Sequence, residues 1–168
     1  MQYFTTYNSP LGEIYLCGTQ DALTGLWFAQ QKYAPDPRSG GYCEASLPVF
    51  EQTRQWLDIY FSGRKPDLLP PIALSGSVFR MAVWEKLLQI PYGKTTTYGA
   101  IAKEIAADSE TETLSAQAVG GAVGHNPISI IVPCHRVLGS DASLTGYAGG
   151  LERKLALLRL EGVNIPRK

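Results

Sequence analysis

A thiol, an imidazole and a guanidinium stand in consecutive positions, Cys134, His135 and Arg136, after an apolar run that ends at Pro133. The chain has three cysteines and two histidines, so an adjacent pair of them asks for a chemical reading. Three readings are open: a structural coincidence, half of a metal site, or a sulfur nucleophile activated by its neighbour. Zinc generally needs four Cys, His or carboxylate ligands with at least one close pair. Cys17 and Cys43 bring no such partners, and the other histidine is His125. The metal reading falls away, and neither a metal nor an organic cofactor is expected.

The nucleophile reading has its own requirements. Burial raises a thiol's pKa and makes it inert unless a neighbour accepts the proton, because the thiolate is the attacking species. Side chains adjacent on an extended chain point apart, so Cys134 and His135 can cooperate only through a turn or a bridging water. A third group strengthens the case. Glu161 follows Leu157 by four residues and Leu158 by three, which puts it on their inward helix face. A carboxylate there needs a partner. His135 would complete a thiol–imidazole–carboxylate relay in which the acid orients the ring. Otherwise Glu161 is a solvated helix end, or pairs with Arg136, Arg153 or Lys154.

The elements that must position these groups fall into two lobes, 1–75 and 76–168. "YFTTYNSPLGEIYLCGTQDALTGLWF" reads as a three-stranded β-meander punctuated by Asn8-Ser9-Pro10, Gly18 to Asp21 and Thr24-Gly25. "AQQKYAPDPRSGGYCEAS" reads as a loop. Val49, Phe50, Thr53, Trp56, Leu57, Tyr60 and Phe61 recur at helical spacing behind Pro48 and before Gly63. "RKPDLLPPIALSG" is a proline-rich connector. The second lobe reads as mainly helical. One helix spans about Ser77 to Leu88, and another starts at "TTTYGAIAKEIA" with Thr96 or Thr97 as cap. The small-residue helix "SAQAVGGAVG" follows with Ser115 as cap, and a last helix runs from about Leu151 to Glu161. The two middle helices form a helix-turn-helix candidate. Ile128 to Val132 reads as an extended, buried segment that delivers Cys134. The fold class is α+β: a small antiparallel sheet with a helix, then a mainly helical lobe.

Bulk properties set the context. A hydrophobic fraction of 45% and a charged fraction of 18% over 168 residues support a globular core and argue against general disorder. The start lacks a basic region followed by a hydrophobic one, and no apolar run approaches a bilayer's span. The expectation is a cytoplasmic monomer with free thiols and no membrane partner. A formal net charge of zero announces no nucleic-acid partner.

"VGGAVGHNPISIIVPCHRV" and the downstream "GYAGGLERKLALL" nevertheless resemble the active-site region of the O6-alkylguanine-DNA alkyltransferases, also called methylated-DNA–protein-cysteine methyltransferases, of the bacterial constitutive type. The likeness runs from about Val78, in "VFRMAVWEKLLQIPYGKTTTYGAIA", to Glu161. The first lobe matches only in general design. The resemblance implies DNA repair by single-turnover transfer of an alkyl group from O6-alkylguanine to Cys134, with O4-alkylthymine left open. The partner is double-stranded DNA, and the target base must be flipped out of its stack to be reached. His135 would be the water-linked base, Glu161 its carboxylate, Asn126 the hinge asparagine, and Tyr98 a donor that offsets charge on the departing guanine. Val137, Tyr147, Ala148 and Gly149 would line the base pocket. Thr97, Ala116, Gln117, Ala118, Gly120, Arg136 and Lys154 would face DNA, with the small-residue helix in the minor groove.

Two departures from the family pattern stand out. The usual arginine finger is replaced by Gln117, which can fill the space of a flipped base without bringing charge. The turn 107–113 is long and contains Asp108, Glu110 and Glu112, which repel phosphates. Weak, salt-sensitive DNA binding is expected, helped by Arg80, Lys94, Arg136 and Lys154. Two other classes compete: a Cys-His hydrolase or acyltransferase, and a non-catalytic binder of alkylated DNA. The hydrolase would turn over. The binder would need no cysteine at position 134.

Overall fold

The computed structural model describes residues 1–109 and 114–165. Glu110 and Glu112 of the acidic turn lie outside the described residues. Two compact units divide the chain: Met1–Leu74 with Pro127–Ser129, and Ser75–Asn126 with Ile130–Lys168.

In the first unit, β1 (Tyr3–Ser9), β2 (Gly12–Gly18) and β3 (Leu23–Phe28) form the expected meander. Ser9 pairs with Gly12 across a Pro10-Leu11 turn, closed by the Ser9 hydroxyl, which accepts from Leu11 N–H and donates to the Gly12 carbonyl. A fourth strand, β4 (Cys43–Glu44), adds in parallel to β1, giving the order β3-β2-β1-β4. The sequence reading had this segment as loop, since two residues carry no periodicity. Beyond β3, Leu23 exchanges backbone hydrogen bonds with Pro71 and Ala73, and Leu26 does the same with Pro127 and Ser129. Helix α1 (Pro48–Phe61) starts on Pro48, whose missing N–H would have had no intrahelical partner. It buries Val49, Phe50, Thr53, Trp56, Leu57 and Tyr60, with the Trp56 and Tyr60 rings stacked 5.3 Å apart.

The second unit is built from α2 (Val78–Leu88), α3 (Tyr98–Asp108), α4 (Ala116–Gly124) and α5 (Leu151–Leu160). Ser77, Thr97 and Ser115 cap the first three, each side chain accepting the N–H three residues on. Helices α3 and α4 supply the helix-turn-helix. The small residues of α4 let α2 approach closely, and the buried Trp84 of α2 donates its indole N–H to the Ala122 carbonyl at 2.9 Å. This lobe also holds a parallel pair that sequence periodicity could not show: β5 (Thr96–Thr97) beside β6 (Val137–Leu138). That pairing fixes the exit of the Cys134 turn against the start of α3, and so against Tyr98.

Candidate active site

The segment leading to the cysteine is buried but is not extended. Ile128, Ile130, Ile131 and Val132 are all inside, yet Ile130 sits at a φ of 69°, a region that β-branched residues rarely adopt. The chain therefore turns between Ser129 and Pro133. Asn126 closes this turn by donating its amide to the Val132 carbonyl at 2.7 Å, and the same side chain hydrogen-bonds Cys134. The cysteine then opens a 3₁₀ turn, Cys134–Arg136. This turn lifts the restriction that adjacent side chains point apart.

Cys134 is 5% exposed. Burial pushes its thiol pKa up, while the Asn126 hydrogen bond, the Lys154 charge and nearby backbone N–H groups pull it back. The resting sulfur is a protonated thiol that needs a base. His135 is fully buried and its Nε2 lies 2.6 Å from Glu161 Oε2. Burial lowers its pKa, opposed by the Glu161 hydrogen bond and charge and assisted by Arg136 and Lys154. The ring is then a neutral imidazole whose Nε2–H donates to the carboxylate and whose Nδ1 carries the lone pair.

Glu161 caps the C-terminus of α5 and is buried. Two of the pairings left open for it are realised together, because it accepts from His135 and from Arg136 Nε at 2.8 Å, and it is not a solvated helix end. It also accepts the Gly93 N–H at 2.9 Å. Burial alone would raise its pKa, but the His135 hydrogen bond, and then the hydrogen bond and charge of Arg136, outweigh that and bring it to about 2.

Arg136 and Lys154 were expected at DNA phosphates. The structure places neither at the surface. Arg136 is 8% exposed, held by Glu161 and by the Ile90 carbonyl at 2.7 Å. Lys154 is 0% exposed and donates to the Thr145 and Gly146 carbonyls at 2.5 and 2.9 Å. Its ammonium also lies 3.5 Å from the Tyr98 hydroxyl. Burial lowers the Lys154 pKa to about 8, against the opposing pull of Cys134. Tyr98 makes long hydrogen bonds, 3.3 and 3.4 Å, to the same two carbonyls. Burial, with the Cys134 charge, pushes its phenol up to about 12, so it remains a donor.

The other site residues divide by exposure. Tyr147 and Ala148 are half-buried, while Gly149 and Val137 are buried. On α4, Ala116, Gln117 and Ala118 are exposed and Gly120 is half-buried, as is Thr97 at the start of α3. Val119, Ala122 and Val123 form that helix's inward face. Asp108 pairs with Lys86 at 2.7 Å, which offsets one carboxylate of the acidic turn. Among the described residues no group of three His, Cys, Asp or Glu side chains could hold a metal ion.

Residues 78–163 match the family described as "6-O-methylguanine DNA methyltransferase, DNA binding domain", and residues 2–74 match its "ribonuclease-like domain". The chain belongs to the 6-O-methylguanine DNA methyltransferase family. Its relatives include the methylated-DNA–protein-cysteine methyltransferase of Haemophilus influenzae, 41% identical over 96% of this chain and 87% of that one. The namesake from Mycobacterium bovis is 42% identical over 99% of this chain and 96% of its own length. Among solved structures, Mycobacterium tuberculosis OGT in complex with DNA superposes with a TM-score of 0.83 at 41% identity, covering 95% of this chain and 92% of that one. The mixed α+β fold with its small N-terminal sheet is thus the family's.

Some partners of this methyltransferase site escaped the sequence reading. The Thr145 and Gly146 carbonyls and the Gly93 N–H are backbone atoms, silent in sequence. Lys154 did leave a signal: it precedes Leu157, Leu158 and Glu161 by three, four and seven residues, the same inward stripe that identified the glutamate.

Proposed function

We propose that the protein repairs DNA by taking an alkyl group from the O6 of guanine onto Cys134, once per molecule. The observation that carries this reading is the buried chain of groups Cys134, His135 and Glu161, with Asn126 bracing the turn. The thiol proton passes to His135 Nδ1, directly or through one water, and Glu161 supports the imidazolium that forms. The thiolate attacks the alkyl carbon in line, a C–S bond forms, and the C–O bond to guanine breaks. Tyr98 keeps its proton and donates a hydrogen bond to the base, which leaves carrying the electron pair of the broken C–O bond and the negative charge that this hydrogen bond offsets. Lys154 keeps the Thr145 and Gly146 carbonyls satisfied when it does so. The thioether product has no hydrolysable bond, so the protein is consumed.

DNA enters this scheme through α4. Ala116, Ala118 and Gly120 leave little bulk between the helix and a minor groove, with Thr97 beside them at the start of α3. Gln117, exposed on the first turn of α4, occupies the space of the flipped nucleotide. Val137, Tyr147, Ala148 and Gly149 line the base pocket. Division of labour follows the lobes, 76–168 acting on DNA and 1–75 supporting it. No helix among the described residues is long and apolar enough to cross a membrane, and the working form is a cytoplasmic monomer.

A duplex carrying a labelled O6-methyl group tests the activity. Label transfer that stops at one equivalent per protein is expected. Continued release of methanol with recovered protein would favour the Cys-His hydrolase chemistry instead.

A further inference from the structure

Arg136 is too deeply enclosed for the phosphate contact expected of it, and its three donor nitrogens point elsewhere. Nε donates to Glu161 Oε1 at 2.8 Å, Nη2 to Glu161 Oε2 at 3.2 Å, and Nη1 to the Ile90 carbonyl at 2.7 Å. The guanidinium also lies 5.7 Å from the Tyr92 ring centre. The planar fork thus grips both oxygens of the carboxylate that serves the catalytic base.

We propose that Arg136 is a positioning residue for alkyl transfer: by sharing Glu161 with His135, it aims the carboxylate at the ring and keeps the ring neutral in the resting protein. This rests on the proposed transfer to Cys134. A buried carboxylate whose main cationic partner is an imidazole favours the imidazolium. That form has no lone pair to accept the thiol proton. A permanent cation on the same carboxylate works against it, because arginine does not lose its charge.

The groups around the ring bear this out by sign. Glu161, at the end of α5, favours a charged ring; Arg136, from the same 3₁₀ turn, and Lys154, from within α5, oppose it. Cys134 faces Lys154 and Tyr98, and Tyr92 faces Arg136 and Glu161. Glu161 receives Gly93 N–H as well, so its oxygens are fixed from three directions. Two cations against one anion leave His135 a base at neutral pH.

The test is the pH dependence of single-turnover methyl transfer in wild type, Arg136→Met and Arg136→Lys. Without the guanidinium, the carboxylate acts on the ring alone. The acid limb of Arg136→Met should then move up by on the order of one pH unit. Lysine keeps the charge but cannot span both oxygens. Arg136→Lys should hold the wild-type acid limb while its plateau rate falls roughly tenfold. A folded Arg136→Met with an unmoved acid limb overturns the proposal, as does an Arg136→Lys limb displaced upward. Should the methionine variant not fold, ¹⁵N spectra of the wild-type imidazole decide: a neutral ring protonated on Nε2 is expected at neutral pH, and an imidazolium overturns it. The ring spectra do not depend on alkyl transfer. Absence of any methyl on wild-type Cys134 would sink the transfer reading and leave the ring result standing.

Discussion

Lys154→Met should make the protein's stability nearly independent of the charge that wild type buries. The wild-type ammonium is 0% exposed, and burial moves its pKa from 10.5 to about 8. That difference is about 2.5 pH units, and at ~1.36 kcal/mol per unit it amounts to roughly 3 kcal/mol against the charged form in the folded state. The sign follows from proton counts. Between pH 8 and 10.5 the unfolded chain binds more protons than the folded one, so stability rises with pH across that window. Methionine replaces the four-carbon stem without the ammonium and its charge. The Thr145 and Gly146 carbonyls that it abandons belong to exposed residues and can turn to water. Urea denaturation of both proteins, at neutral pH and above pH 10.5, reads the effect as a difference. Both proteins carry Cys134→Ser in this comparison, since Lys154 itself moves the thiol's titration, while that of Tyr98 occurs in both and cancels to first order. The variant should equal or exceed wild type in stability at neutral pH, and wild type should gain about 3 kcal/mol on it toward the alkaline end. Alkyl transfer by Lys154→Met with Cys134 in place should slow, since the thiolate loses the nearby cation. A stability difference that is flat with pH, or that shifts toward the variant on alkalinisation, would refute the reasoning.

Glu161→Gln removes the group that raises the His135 pKa, so the acid limb of transfer should move to lower pH while the plateau rate drops. It also leaves Arg136 without its anion, and denaturant melts should show a loss of about 3–5 kcal/mol at neutral pH. That deficit should shrink on acidification, because the Glu161 contribution is present above the ordinary carboxylate range and disappears as pH falls toward about 2. Gln117→Ala should slow repair of O6-methylguanine in duplex DNA far more than reaction with free O6-benzylguanine; equal losses on the two substrates would remove Gln117 from the finger role. Trp84→Phe takes the indole N–H from the Ala122 carbonyl, which keeps the His125 backbone N–H, and should cost about 0.5–1.5 kcal/mol in denaturant melts, with the transfer rate of the folded fraction unchanged.

What the sequence disclosed, and what it hid, has physical causes. The helices were legible because amphipathic spacing and caps are local: Thr97 and Ser115 accept the expected backbone N–H, and Ser77, read as the helix start, caps it in the same way. Strands β4, β5 and β6 have two residues each, too few for alternation to register, and their pairing partners are distant in the chain. The apolar run before the cysteine showed burial correctly and conformation wrongly, since nothing local announces a left-handed isoleucine at position 130. Charge type misled as well. Arg136 and Lys154 read as DNA-facing cations through the family resemblance, whereas each is retained inside by acceptors brought from elsewhere: the Glu161 carboxylate, one of the pairings left open, and the loop carbonyls of Thr145 and Gly146. The Glu161–His135 contact was reachable because an inward helix face and an unusual dipeptide could each be read independently.

The central claim is that one sulfur accepts the alkyl group and keeps it. Peptide mapping by mass spectrometry, after incubation with an excess of O6-methylguanine duplex, tests it most directly. The account predicts one added methylene mass, confined to the peptide containing Cys134, unchanged on prolonged incubation and absent from Cys134→Ser. A methyl group found on Cys17 or Cys43, or one that is lost with time while substrate continues to disappear, would contradict it.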